Sequence, residues 1–354
     1  MKKKHRWIKR IVIILVVIVA AALLLNSCLF PAYEPPAGSG SHIVKTKMFT
    51  WVDESRIETF TDSGENRALT VGIWYPEEEG KYPLVVFSHG AFGVLESNYS
   101  TYVELASNGY VIASIAHPYH AAYVEDVNGK VTIGDMEFMQ QVYGMNGESE
   151  ADGKLNYEME MEWMALRTAD MNFVLDIILE KAEKEEDIFA KINAEKIGLM
   201  GHSLGGATAV QLGRERSDID AVIDLEGSML GEYVGFENGY EIYNQEPYPI
   251  PVLDVNSKAV REQIEQTKTQ HPEWNYVNDY LGKNAIDYRE VVFNDAGHLN
   301  FTDLPMFSPA LASFLGVGEV DPEECMANVN EMVRIYFDFY LKGEGSLENL
   351  KTEY

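Results

Sequence analysis

Between Lys196 and Val210 the chain reads KIGLMGHSLGGATAV, an apolar run broken by Gly201-His202-Ser203-Leu204-Gly205 and followed by small residues. Few stretches leave so little choice of local structure. The run is short and continuous, as a strand buried on both faces requires, and the residues after Gly205 open a helix. A strand that becomes a helix within one residue pushes the intervening side chain onto an exposed crest, and flanking glycines let the two backbones close up. Ser203 is therefore read as a nucleophile on a strained elbow, with the helix N-terminus behind it favouring developing negative charge. A capping serine in a tight turn is the plainer alternative.

The rest of the chain has the rhythm such an elbow needs. Eight β-rich runs recur: IVKTKMFTWV, ALTVGIWYP, PLVVFSHG, YVIASIAHP, KIGLMGHS, AVIDLEG, PIPVLDVNS and REVVFND. The first two lie close together, as in an antiparallel start. From Pro83 onward the runs alternate with helical stretches at Asn98 to Asn108, Glu158 to Lys184, Gly205 to Arg214 and Met326 to Lys342, the pattern of an α/β fold with a mostly parallel central sheet and helices on both faces. Met164, Met171, Val174, Leu175 and Ile178 keep the 3.6-residue period in the second of these helices. Between Tyr119 and Tyr157 the pattern weakens into a long glycine-containing connection, expected as a lid-like insertion spanning 119–157. Seven of the 14 methionines fall between Met136 and Met171, where flexible thioethers suit an adaptable apolar pocket as well as ordinary core filling.

Composition settles the broad class and the compartment. With 46% hydrophobic and 24% charged residues over 354 positions, the chain can bury a large core and is not a disordered one. Residues 1–28 join a basic head to fifteen uninterrupted apolar residues, Ile11 to Leu25, and read as an export signal or membrane anchor. Leu25-Asn26-Ser27-Cys28 resembles a lipobox, so lipidation at Cys28, an uncleaved anchor and free secretion are the alternatives. All three place the remainder outside the cytoplasm. Residues 29–42, ending in Pro31 to His42 (PAYEPPAGSGSH), read as a linker, and 43–354 as one catalytic domain. Six of the 28 basic residues lie in the first ten positions, leaving 22 against 56 acidic residues, a net charge of −34. Such a surface argues against a nucleic-acid partner and favours neutral or zwitterionic substrates. Cys28 and Cys325 are the only cysteines, which excludes a cysteine-based metal site, and the chemistry expected here needs no cofactor.

A serine hydroxyl needs a base within hydrogen-bond reach. In the order Ser, acid, His, only His271 and His298 lie beyond Ser203. His298 follows REVVFNDAG, on the loop leaving the last strand, and is the expected base; His271, in TQHPEW, is assigned to the surface. For the acid the spacing leaves Asp224 ahead of Asp254, with Glu226 a third and weaker candidate. Two backbone amides must hold the oxyanion. Leu204 supplies one, and His89-Gly90-Ala91-Phe92-Gly93 supplies the other, through Ala91.

Taken together, YPLVVFSHGAFG, LASNGYVIASIAHPYH, KIGLMGHSLGGATAVQ, the aspartate of VIDLEG, the asparagine and serine of PVLDVNS, and GHLNFTD resemble the platelet-activating-factor acetylhydrolase branch of the α/β-hydrolases, its plasma and type II enzymes. The resemblance runs from about Val71 to about Phe314, with a poor match over Ala121 to Tyr157. It implies an α/β-hydrolase fold, a triad of Ser203, Asp224 and His298, oxyanion amides at Ala91 and Leu204, and calcium-independent hydrolysis of short or oxidised acyl esters of phospholipids. A small-molecule or polyester esterase, a peptidase on the same triad, and a catalytically silent cell-surface binding protein are the other expectations, and labelling by a fluorophosphonate separates the last from the rest.

Overall fold

The computed structural model of the protein describes residues 27–145, 149–272 and 274–354. The apolar segment Ile11 to Leu25 therefore lies outside the described residues, and among those described no helix is long and apolar enough to cross a membrane. Eight strands form the central sheet: β1 (Val44–Ile57), β2 (Asn66–Pro76), β3 (Tyr82–Ser88), β4 (Val111–Ala116), β5 (Ile192–His202), β6 (Ala221–Leu225), β7 (Val252–Ser257) and β8 (Tyr288–Phe293). Their spatial order is β1-β2-β4-β3-β5-β6-β7-β8. The β1–β2 and β2–β4 pairings are antiparallel, and every later pairing is parallel. All eight expected runs are thus strands of one sheet.

Helices cover both faces because the inner strands are apolar on both. Val85 and Phe87 point to one side, where they meet α1 (Tyr99–Ser107) through Tyr102 and Leu105 and the late helix Pro322–Phe337 through Val329, Val333 and Phe337. Leu84 and Val86 point to the other, toward the long helix Glu150–Glu183 and the helix Leu204–Glu215 that follows the elbow. Met171, Val174, Leu175 and Ile178 form the buried stripe that their spacing predicts, whereas Met164 belongs to a separate small cluster beside Leu204 and Ala207. A fully buried side chain such as Phe87 stabilises the fold by roughly 1.5–3 kcal/mol through burial alone.

Two segments differ from expectation. The 119–157 insertion contains a hairpin (Tyr123–Glu125 with Val131–Ile133), a helix α2 (Met136–Gly144) capped by Asp135, and the first turns of the long helix, here α3, which begins at Glu150 rather than Glu158. The methionines between Met136 and Met171 divide accordingly: Met171 lies in the core, Met145, Met159 and Met161 pack around the small cluster by Leu204, and Met136 is exposed. Residues 29–42, expected as a linker, lie along the domain. Phe30 and Tyr33 pack against the ring of Phe307, and Ser39 donates from N and Oγ to Glu104 at 2.7 and 2.5 Å. The partners on α1 lie some sixty-five residues away, beyond any local signal.

Candidate active site

β5 ends at His202, and α4 (Leu204–Glu215) starts one residue later. Ser203 between them has φ 54° and ψ −126°, a backbone state that a non-glycine residue adopts at a cost of order 1–3 kcal/mol. Close packing enforces it. A Cβ on Gly201 would lie 2.1 Å from the Gly205 carbonyl oxygen, and one on Gly205 would lie 2.0 Å from that of Ser88, so the strand, the helix and neighbouring β3 meet backbone to backbone. The Ser203 N–H donates to Leu225 O at 2.9 Å, tying the elbow to the end of β6.

His298 stands on a single helical turn, His298–Phe301, just past β8. Buried Asn300 clamps this loop, its Oδ1 accepting from the amides of Gly297 (2.9 Å) and Gly318 (2.7 Å). The His298 ring is 42% exposed and places Nδ1 2.7 Å from Glu226 Oε2. A carboxylate accepts, so Nδ1 carries the proton and Nε2 is left as the free base, the tautomer a serine hydroxyl requires. The other oxygen of Glu226 accepts from Ser257 N–H at 2.6 Å, and the side chain is 4% exposed, so the carboxylate is held at both ends.

Asp224, the acid expected from sequence, does not meet His298. It is fully buried; Oδ1 accepts from Gly227 N–H at 2.8 Å, and Oδ2 has no partner among the described residues. Strand alternation explains the difference. Val222 and Asp224 point to the α4 side of the sheet, and Glu226, two residues on, would follow them had β6 continued. Instead the strand ends at Leu225 and Glu226 turns into the left-handed region, φ 55°, which swings its side chain across the sheet edge to the histidine. Asp254 lies opposite Asp224 in the β6–β7 register, equally buried, with Tyr288 Oη at 2.6 Å and Asn278 Nδ2 at 3.2 Å. Burial pushes Asp254 up to about 7 and Asp224 well above its usual range, the latter reinforced by Asp254 itself.

The His89–Gly93 loop leaves β3 directly against the elbow. A Cβ on Gly90 would lie 3.1 Å from that of Ser203. Phe92 N–H donates to His120 O (2.8 Å) and Gly93 N–H to Gly90 O (3.1 Å), while neither the Ala91 nor the Leu204 N–H has a backbone acceptor among the described residues. His202 joins loop, elbow and base: its Nε2–H donates to His298 O at 2.9 Å, the two rings lie 4.5 Å apart, and burial keeps it neutral. Sequence reasoning passed over His202 because the position before the serine in G-x-S-x-G is unconstrained as a pattern.

Ser203, His298, Glu226, Ala91 and Leu204 line one cavity of about 330 Å³, with Trp163, Leu230, Val142 and Val260 as its apolar walls. Glu160 also lines it, pushed up to about 7 by burial and, less strongly, by Glu241. A larger cavity of about 490 Å³ beside the Tyr123 hairpin holds neither the serine nor the histidine. Among the described residues no group of three or more His, Cys, Asp or Glu side chains is arranged to hold a metal ion. His271 is exposed at the end of the helix Lys258–Gln270, away from this cavity's lining.

A serine elbow after the fifth strand of a mostly parallel eight-stranded sheet, with the histidine loop after the eighth, makes this an α/β-hydrolase. In line with that fold, the structure resembles a ferulic acid esterase from Streptomyces cinnamoneus, with a TM-score of 0.66 at 22% identity over 89% of this chain and 94% of the other. The family profile described as platelet-activating factor acetylhydrolase, isoform II, matches residues 75–348, and the chain belongs to that family. It is 24% identical over 276 residues to the platelet-activating factor acetylhydrolase of Cavia porcellus, covering 74% of this chain and 58% of that protein. To the Bos taurus protein it is 29% identical over 187 residues, 48% of this chain and 39% of the other. The chain thus spans about two-fifths to three-fifths of the length of these relatives.

Proposed function

We propose that the protein is a serine carboxylic-ester hydrolase that works through an acyl-enzyme. Ser203 attacks the ester carbonyl as His298 Nε2 takes its proton; the tetrahedral oxyanion is held by the Ala91 and Leu204 amides; the imidazolium returns the proton to the departing alcohol, and water repeats the cycle on the acyl-enzyme. Glu226, rather than Asp224, orients the imidazole and stabilises its charge. The observation that carries this reading is the 2.7 Å contact between His298 and Glu226, made in the same cavity as a serine with φ 54°.

The substrate class proposed is a short-acyl phospholipid or lipid ester. Family membership supports it, as does a cavity near the lower end of the roughly 300–1,000 Å³ usual for small-molecule sites, with apolar walls beside the serine. The N-terminal segment is proposed to hold the domain at the outer face of a membrane, and mass spectrometry of the membrane fraction tests this: a mature chain starting at lipidated Cys28 or an intact apolar segment supports it, and a soluble chain lacking both refutes it. The function itself is tested by an acyl-length series on 4-nitrophenyl esters and sn-2 phospholipids. Turnover is expected to peak at two to four acyl carbons and to vanish in Ser203→Ala; labelling of the native protein by a fluorophosphonate must vanish with it. Retained turnover in that variant would move the nucleophile elsewhere.

A further inference from the structure

We propose that Arg167, in the middle of α3, is a positioning residue that sets the oxyanion loop. The side chain is completely buried, and its Nη2 donates to the carbonyl oxygen of His89, 78 positions earlier in the chain. Among the described residues Nε and Nη1 have no hydrogen-bond partner. Desolvation lowers Arg167 to about 9, so the cation persists at neutral pH at a high cost in solvation. No ion pair offsets that cost directly: Asp170, one helical turn on, spends its oxygens on Arg67 (2.7 Å twice), Arg56 (2.8 Å) and His117 (3.0 Å). The remaining titratable groups around it, His89, His117 and His120, are all pushed toward the neutral form, by burial first and then by Arg167 itself.

What the buried cation accomplishes is visible in the loop. His89 Nδ1 lies 2.7 Å from Gly90 O, and since a carbonyl only accepts, Nδ1 carries the proton and Nε2 accepts from His117 N–H at 3.3 Å. The Gly90 carbonyl and the Ala91 N–H belong to one planar trans peptide and point in opposite directions. Drawing Gly90 O toward the imidazole therefore aims Ala91 N–H the other way, toward the elbow. Arg167 fixes the preceding peptide through His89 O and adds its charge to the burial that keeps the imidazole neutral, while Gly90 O and His117 N–H set the tautomer. Two successive peptides are thus held, His89 O by the guanidinium and Gly90 O by the buried neutral ring together with Gly93 N–H.

This rests on the hydrolase reading, and the experiment separates the two. Arg167→Met and Arg167→Lys are assayed with an oxoester and the matching thionoester, whose carbonyl sulfur is a poor hydrogen-bond acceptor, so the ratio of their rates reads the oxyanion site alone. The native enzyme is expected to favour the oxoester strongly. In Arg167→Met, kcat on the oxoester should fall about 10²-fold with little change in KM, thionoester turnover should fall far less, and the ratio should collapse. Arg167→Lys, which keeps the charge but not the planar fork, should lie between. If Arg167→Met is too unstable to purify, the shift in Arg167→Lys carries the test. Equal loss on both esters in any folded variant, or an unchanged ratio, overturns the positioning role, and a native enzyme with no preference for oxygen overturns the oxyanion site beneath it.

Discussion

Replacing Glu226 with Gln tests which carboxylate serves the histidine, and its effect follows from the two contacts that Glu226 makes. Ser257 N–H, 2.6 Å from one oxygen, can only donate, so it selects the carboxamide oxygen for that position. The amide nitrogen must then occupy the position 2.7 Å from His298 Nδ1. It too can only donate, which drives the imidazole proton from Nδ1 to Nε2 and leaves no lone pair facing the serine. Volume and packing are nearly unchanged, so the protein should fold normally while holding the wrong tautomer. A triad locked in this way loses about 10⁴ in turnover, or about 5 kcal/mol of transition-state stabilisation at 1.36 kcal/mol per decade. The assay is burst and steady-state hydrolysis of a 4-nitrophenyl short-acyl ester, with thermal unfolding run alongside. Asp224→Asn, which alters a buried carboxyl hydrogen-bonded only to Gly227 N–H, should lose less than tenfold. A ranking in which Asp224→Asn loses four decades and Glu226→Gln almost none would refute the geometry, and would restore Asp224 as the acid.

Ser203→Gly should abolish turnover yet raise stability by about 1 kcal/mol in chemical denaturation, because glycine occupies φ 54° without strain; a destabilised variant would mean that the elbow is relaxed. Burial raises the folded Asp254 carboxyl to about 7, well above its unfolded value, so the native state binds an extra proton between the two. Its contribution to stability therefore declines as pH rises from about 4 to about 7 and is flat above. Urea midpoints measured across that range should fall less steeply for Asp254→Asn than for the native chain, and parallel profiles would show that the group titrates normally. Phe87→Ala removes a fully buried ring from the sheet's α1 face and should cost about 3–5 kcal/mol by the same measurement, with a smaller loss showing that the site collapses to fill the gap.

The strands and their order were legible because each is a short run of apolar residues bounded by Gly, Pro or Asp, and because the elbow admits one local geometry. Ser203, His298 and the Ala91 loop follow from where they fall relative to those strand ends. The acid was harder for a physical reason. Which residue of Asp-Leu-Glu-Gly reaches the histidine depends on whether the strand ends before or after Glu226, and a single left-handed residue decides that. Arg167, His117 and Asp170 were hidden differently. They read as ordinary members of a helix and a loop, and only the folded chain brings them under His89. The docking of residues 29–42 escaped notice because Pro, Gly and Ser suit a free tether and a bound extended segment equally well.

The hydrogen bonds at the rim of the sheet have a further meaning. Ser203 N–H is held by Leu225 O, Glu226 N–H by Val255 O, and Ser257 N–H by the Glu226 side chain, a staircase that climbs three adjacent strands. Each step is main chain on at least one side, so most substitutions leave it intact. Loops above it, including the 119–157 insertion, are free to drift in sequence without retuning the nucleophile or its partner. Substitutions in the loops that line the cavity can therefore change what it accepts while this staircase keeps the nucleophile and its partner in place.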